Sequence, residues 1–280
     1  MLLRGADALR DAARAKRALP AFTGYNLEMV QAIVEAGEQT DLPLLLVAGS
    51  SAFRHSGLAP LANLALEFAT SSDASVGVHL DHSRSLEEIT ACLELGYTSV
   101  MFDGSDLPFD ENVQRTKQVV ERAHAKGAWV EAELMGIAGN EDVSTNAVAG
   151  AMTDPERAEA FVMETDVDAL AVAIGNIHGF SSAPADIDLD RLEAIRQRVS
   201  IPLVLHGASG LSDETILSCL DRGVAKVNVN AQLRTSYLSG MEGALFASPE
   251  TSDLLDVLRN GRDALTETAV RIIRLLARSE

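Results

Sequence analysis

The sequence predicts an α/β protein, specifically a (β/α)8 TIM barrel, on three observations. Eight short apolar or β-branched runs alternate with longer amphipathic stretches, and no proline-, glycine- or serine-rich linker separates them. The runs are almost continuously apolar, as parallel strands covered on both faces are. The length of 280 residues suits a single barrel with extra segments, so one domain is expected over residues 1–280. An open doubly wound sheet is the alternative, but no G-x-G-x-x-G motif follows the first strand.

The chain begins MLLRGADALRDAARAKRALP, whose arginines resemble those of a transit peptide. Asp7 and Asp11 argue against that, and the absence of an apolar core argues against a secretory signal, so an amphipathic first helix is expected. ALPAFT (18–23) is the first strand and LEMVQAIVEAGEQ the helical pattern after it. LPLLLVAG (42–49) is the second strand, and SVGVHL (75–80) the third, followed by SLEEITACLELG, which ends on a glycine as helices tend to. SVMFD (99–103) is the fourth, with NVQRTKQVVERAHAKG behind it, and AWVEAEL (128–134) is the fifth. From Met135 to Thr153 the chain is polar, glycine-bearing and without periodicity. A loop of that length in a compact domain is expected to be a functional lid or an insert. DPERAEAFVMET then reads as a helix, ALAVAIG (169–175) as the sixth strand and PLVLHG (202–207) as the seventh. LSDETILSCLDRG is helical, KVNVN (226–230) is the eighth strand, and LLDVLRNGRDALTETAVRIIRLLAR (254–278) reads as the eighth helix.

Composition excludes several classes. With 47% hydrophobic and 23% charged residues the chain has the make-up of a soluble globular protein, and no apolar run approaches the roughly 20 residues that cross a bilayer. The two cysteines, Cys92 and Cys219, sit in helical patterns and read as reduced core thiols of a cytoplasmic protein. A net charge of −18 repels nucleic acid and anionic membranes, so neither is expected as a partner. It also repels an anionic small substrate, which must then be held by a local positive feature.

Barrel chemistry sits at the carboxyl ends of the strands. Of six histidines, His82, His178 and His206 follow the third, sixth and seventh strands. Any one of them alone reads better as a hydrogen-bonding cap on its strand than as a ligand. Three converging imidazoles with a fourth position open suit a catalytic zinc ion. His79 lies inside its strand, His124 on a helix, and His55 after the second strand is undecided. Asp81 stands beside His82. Asp103 and Glu133 end the fourth and fifth strands, where either could orient a histidine or hold a second cation. Glu131 shares the face of Glu133, so one of that pair reads as structural, while Glu141 rides on the long loop. Gly207-Ala208-Ser209-Gly210 precedes a helix, and its backbone amides can cradle a phosphate; the eighth strand supplies Asn228 and Asn230.

VHLDH, MFDGS, VEAEL…NEDV, DALAVAIGNIHG, PLVLHGASG and KVNVN, in this order between about Leu19 and Gln232, resemble the class II metal-dependent ketose-bisphosphate aldolases. The likeness is greatest to the tagatose- and fructose-bisphosphate aldolases. It implies reversible cleavage of a phosphorylated ketose to dihydroxyacetone phosphate and an aldehyde. It also implies Zn2+ or another divalent metal, room for a monovalent cation, and a homodimer or homotetramer. Carried over by position, His82, His178 and His206 become the metal ligands, Asp81 the acid/base at the C4 hydroxyl, and Glu141 the loop carboxylate that moves the C3 proton. Asp103 and Glu133 match an alternative metal position or the residues behind the ligands. Gly179, Gly207, Ala208, Ser209 and the run Asn228-Val229-Asn230-Ala231 match the substrate-binding stretches. Departures from the family pattern fall at Thr23, Met135 and Ala231, which puts the phosphate contacts in question. A lysine Schiff base is disfavoured, since Lys16, Lys117 and Lys126 fall on helices and Lys226 opens the eighth strand. The alternatives are a deoxy-keto-phosphogluconate aldolase giving malonic semialdehyde, which needs a cation facing the substrate carboxylate, a non-catalytic sugar-phosphate-binding barrel, and a metal-dependent isomerase.

Overall fold

The computed structural model describes residues 2–139, 150–179, 185–247 and 253–279. Eight strands close into a parallel barrel: β1 (Leu19–Thr23), β2 (Leu44–Gly49), β3 (Val76–Ser83), β4 (Ser99–Asp103), β5 (Trp129–Glu133), β7 (Ala169–Ala171), β9 (Leu203–Leu205) and β10 (Val224–Val229). Their order around the barrel is β1-β10-β9-β7-β5-β4-β3-β2. A second, two-stranded parallel sheet pairs β6 (Ala138–Gly139) with β8 (Ile177–His178). The helices are α1 (Asp7–Arg14), α2 (Leu27–Thr40), α3 (Ser50–Ser56), α4 (Leu58–Ser71), α5 (Leu86–Leu95) and α6 (Phe109–His124). They continue with α7 (Pro155–Thr165), α8 (Leu189–Arg198), α9 (Asp213–Asp221), α10 (Ala231–Ala247) and α11 (Leu254–Ala277). None is long and apolar enough to cross a membrane.

Local chemistry starts these helices where the sequence says it should. Asn26, Ser85, Asp154 and Ser212 each accept a hydrogen bond from a backbone N–H in the first turn of the helix that follows, and α7 has proline at its start. Two expectations about element bounds are corrected. The sixth strand covers only Ala169–Ala171, because Gly175 at φ +98° and the Asn176 side chain, which accepts from Ile174 N–H at 2.8 Å, bend the chain away. The expected eighth helix is α11, but α10 precedes it directly after β10; its weakly patterned sequence carries little helical signal.

Alternation along the strands explains where the site lies. Outward residues such as Leu46, Val78, Leu80, Phe102 and Leu205 pack under the helices in the outer core. Inward residues near the strand starts, including Leu19, Leu45, Trp129 and Ala169, form an inner apolar plug that Leu9 of α1 and Ala6 just before it cover. Above that plug the inward positions become polar: His79, Glu131, Lys226 and Ser99 at the start of β4, then Asp81, Asp103, Glu133 and Asn228, all buried. Lys226 does not open its strand. It lies within β10, after a register shift between Val224 and Lys226 that turns its side chain into the barrel.

Candidate active site

A regular strand points neighbouring residues to opposite faces, so Asp81 and His82 should not both reach the interior. They do so through a bulge. The β3–β4 register shifts between Leu80 and Ser83, and His82 adopts φ +45°, a left-handed conformation that costs a non-glycine residue on the order of 1–2 kcal/mol. His178 ends β8 and is clamped from two sides by glycines. A Cβ at Gly139 would sit 2.6 Å from the His178 carbonyl oxygen, and one at Gly207 would sit 2.3 Å from that of Ile177. His206 directly follows β9, where its carbonyl oxygen accepts from Asn176 Nδ2 at 2.9 Å.

The three imidazoles converge. One nitrogen of each lies within 4.8 Å of the others, and His82 Nε2 is 3.0 Å from His206 Nδ1. The ring pairs meet edge to face, with centroids 4.6–5.7 Å apart. At 3.0 Å the two nitrogens either share a proton in an N–H···N bond or turn both lone pairs to one positive ion. Nitrogens sharing one small divalent ion at bonds of about 2.0–2.1 Å stand a little over 3 Å apart, so the donor set fits an ion. The second ring nitrogen of His206, Nε2, lies 2.7 Å from Glu131 Oε1. That carboxylate accepts the Nε2–H and leaves the Nδ1 lone pair facing the other histidines, the arrangement of metal-binding imidazoles.

Beneath the triad, Glu131 Oε2 accepts from Lys226 Nζ at 2.7 Å with both groups fully buried. Burial alone would raise the Glu131 carboxyl, but the Lys226 ammonium and then the His206 hydrogen bond outweigh it and hold the group below the usual carboxylate range. His79 stacks on Trp129 and bonds Ser99 at 2.8 Å; burial, and then Lys226, push its imidazole well below the usual histidine range, so the ring is uncharged.

Beside the triad, Glu133 Oε2 is 3.4 Å and Asp103 Oδ2 3.9 Å from His82 Nδ1, and this trio makes a second cluster of ligand type. Burial, assisted by Asp103, pushes the Glu133 carboxyl up to about 7 against the pull of His82. Asp103 goes the other way: Ser105, His82 and Arg84 overcome its burial and hold it low, with Arg84 Nε at 2.8 Å. Asp81 is buried and accepts from Asn228 Nδ2 at 3.0 and 3.2 Å.

These groups face a cavity of about 710 Å³ whose walls include Asp81, His82, Asp103, Glu133, His178 and Asn230. Thr23 also faces it. His206 is fully buried behind the wall. Gly179, Gly207, Ala208, Ser209, Asn228, Val229 and Ala231 are not among the cavity walls. The Ala208 and Val229 side chains belong to the outer core, so only their backbone could meet a ligand. Ser209 Oγ accepts from Gln232 N–H in the first turn of α10 at 3.3 Å, which leaves its own proton to donate. Glu141 lies outside the described residues. His55 is exposed on α3 and is not a cavity wall, and His124 pairs with Asp168 at 2.8 Å. Sequence reasoning missed Tyr25, Ser51, Arg54 and Arg84, all of which face the cavity. The signal was there, since each lies within a few residues of a strand outlet.

The chain matches the sequence model of the family described as class-II fructose-bisphosphate aldolase over residues 4–280. Among solved structures it is similar to the YdjI aldolase from Escherichia coli K12, with 30% identity, a TM-score of 0.87, and coverage of 99% of this chain and 97% of that one. A putative fructose-1,6-bisphosphate aldolase from Coccidioides immitis is similar at 30% identity and TM-score 0.87, covering 98% and 96%. A fructose-bisphosphate aldolase from Campylobacter jejuni shares the fold at 18% identity and TM-score 0.84, covering 99% and 95%.

Proposed function

Because the chain belongs to the class-II fructose-bisphosphate aldolase family, and is therefore a carbon–carbon lyase, we propose that it cleaves a phosphorylated ketose reversibly to dihydroxyacetone phosphate and an aldehyde, using a zinc ion. The observation that carries this reading is the meeting of His82, His178 and His206 beside a buried aspartate.

The three histidines would hold the ion, with Glu131 fixing the tautomer of His206. Bound there, a divalent ion supplies Lewis acidity to the substrate ketone and stabilises the negative charge left when the C3–C4 bond breaks. Asp81 takes the C4 hydroxyl proton as that bond cleaves and returns it in synthesis. The Asn228 amide donates to both of its oxygens, which keeps the carboxylate aimed. Glu141 delivers the proton to C3, an assignment resting on its position in the family motif. Gly179, the Gly207–Ser209 turn and the Asn228–Ala231 run bind the C1 phosphate, largely through backbone N–H groups and the Ser209 hydroxyl. Asp103 and Glu133, together with His82, would offer a second set of ligands to a divalent ion. A Schiff-base route has no candidate, because the ammonium of Lys226 is sealed in a 2.7 Å ion pair away from the cavity walls. The enzyme works in the cytoplasm as a homodimer or homotetramer.

Cleavage of ketose 1-phosphates, assayed as released triose phosphate with metal content measured alongside, tests the reading. His206→Ala loses the metal, and Asp81→Ala keeps it while turnover falls by about 10²-fold or more. An Asp81→Ala enzyme at full rate removes the aspartate from the mechanism. Conversion to one isomer instead of two fragments replaces the lyase with an isomerase.

A further inference from the structure

Ser85-Leu86-Glu87-Glu88 has the spacing of a capping box, in which the serine caps the new helix and the glutamate reaches back to the serine's own N–H. Only half of the box forms. Ser85 Oγ accepts from Glu88 N–H at 3.2 Å, but the Glu88 carboxylate turns away from the start of α5. Its Oε2 accepts instead from Ser83 Oγ at 2.6 Å and from Ser50 Oγ at 2.7 Å. Both are short bonds to a charged acceptor, stronger than bonds between neutral groups. The helix thus forgoes the reciprocal half of its cap in favour of two serines that belong to other elements.

Those serines bracket the bulge in β3. Leu80 pairs with Val100 and Ser83 with Phe102, so the extra residue that lets Asp81 and His82 both face the cavity lies between them, and the ladder resumes at Ser83. On the other side β2 stays in register up to Gly49, opposite Asp81, and Ser50 is the next residue. One carboxylate oxygen therefore fastens the far anchor of the bulge to the residue that follows Asp81's neighbour. The approach is close there: a Cβ at Gly49 would sit 3.0 Å from the Asp81 carbonyl oxygen. Ser83 is buried, and the Ser85 carbonyl at 3.4 Å is a poor substitute acceptor for its hydroxyl. His82 stands inside this frame at φ +45°, a conformation that persists only where its surroundings over-determine it. We propose that Glu88 is a positioning residue of the active site. By holding Ser83 and Ser50 on one oxygen it keeps the bulge closed, so that His82 is aimed at His178 and His206, and Asp81 at the cavity, before ion or substrate arrives. Glu88 is not among the cavity walls, so it acts only through the serines. The inference rests on the metal-dependent aldolase reading above.

The test is zinc affinity, by competition with a chromogenic chelator, and the visible d–d bands of the cobalt-loaded protein, which report ligand geometry. Both are read for wild type, Glu88→Ala, Glu88→Gln, Ser83→Ala and Glu88→Ala/Ser83→Ala. Glu88→Ala lowers zinc affinity by about 10–100-fold, the range for residues that orient metal ligands, and alters the cobalt bands. Glu88→Gln keeps an oxygen acceptor for both hydroxyls while giving up the charge that favours the start of α5, so it recovers most of the affinity. Ser83→Ala loses part of the affinity, and the double variant loses little more than Glu88→Ala, because the pair acts as a unit. Zinc affinity of Glu88→Ala within about twofold of wild type, with unchanged cobalt bands, overturns the positioning role. So does a Glu88→Gln protein as impaired as Glu88→Ala, since charge and not the anchoring of hydroxyls would then be what matters. Should Glu88→Ala fail to fold, Ser83→Ala decides by the same twofold limit. Wild type that binds no zinc overturns the metal-dependent reading and this inference with it, whereas zinc bound and indifferent to Glu88 overturns this inference alone.

Discussion

Replacing Lys226 with methionine attacks the support of the metal site without touching a ligand. Lys226 is fully buried and its Nζ lies 2.7 Å from Glu131 Oε2, while the other Glu131 oxygen accepts from His206 at 2.7 Å. Methionine preserves most of the volume but leaves a fully buried carboxylate without its cation, which costs about 3–5 kcal/mol. At roughly 2–4 °C per kcal/mol that is a fall in Tm of about 6–20 °C. The pH dependence changes sign. In the wild type the Glu131 carboxyl titrates below its unfolded range, so it adds stability above that range and loses it as pH falls. In Lys226→Met, burial is unopposed and raises the carboxyl, so stability recovers as pH drops from about 8 to about 5. A protonated Glu131 is also a poorer acceptor for His206 N–H, and metal affinity falls by about 10–100-fold. The assay is thermal and urea unfolding of chelator-treated wild type, Lys226→Met and Lys226→Met/Glu131→Gln at both pH values, with zinc titration of each. The double variant, lacking both charges, should be more stable at pH 8 than the single one. Unfolding of Lys226→Met within about 0.5 kcal/mol of wild type, or a double variant no better than the single, would refute this account of the buried pair.

The remaining predictions concern the clamp on His178 and the thiols. Gly207→Ala places a methyl carbon 2.3 Å from the Ile177 carbonyl oxygen at φ +65°, so the chain must shift between two ligands; bound zinc falls well below one per chain while far-UV circular dichroism is retained. Burial pushes the Cys92 thiol up to about 12 and the Cys219 thiol up to about 11. At pH 8 their thiolate fractions are on the order of 10⁻⁴ and 10⁻³, so iodoacetamide labels the native protein at least about a hundredfold more slowly than the denatured one.

Much of the barrel was legible because its outward strand positions are uniformly apolar and its helices announce their ends. Leu46, Val78, Phe102 and Leu205 needed only a parallel sheet covered by helices to be explained. The three histidines were legible by address, each at a strand outlet. What adjacency in sequence hid was geometry. Nothing in Val-His-Leu-Asp-His announces the bulge that lets Asp81 and His82 face the same way. Nothing in Lys-Val-Asn-Val-Asn tells that a register shift at Val224 sends Lys226 inward to Glu131, which decides that Glu131 is the support and Glu133 the neighbour of His82. Two-residue strands such as β6 and β8 have no periodicity to detect; their pairing depends on glycines that admit a neighbouring carbonyl. Arg54 and Arg84 lie close to strand outlets, but that address alone does not tell their surroundings. Only the closed barrel distinguishes an arginine tied to Asp103 and Asp106 from one left facing the cavity.

The central claim is that one ion unites His82, His178 and His206, and anomalous diffraction at the zinc edge from crystals of the zinc-loaded enzyme addresses it most directly. The account predicts a single strong peak within about 2.0–2.2 Å of a nitrogen from each ring, abolished in His206→Ala. A peak elsewhere, or none beside these rings in fully loaded protein, would contradict it.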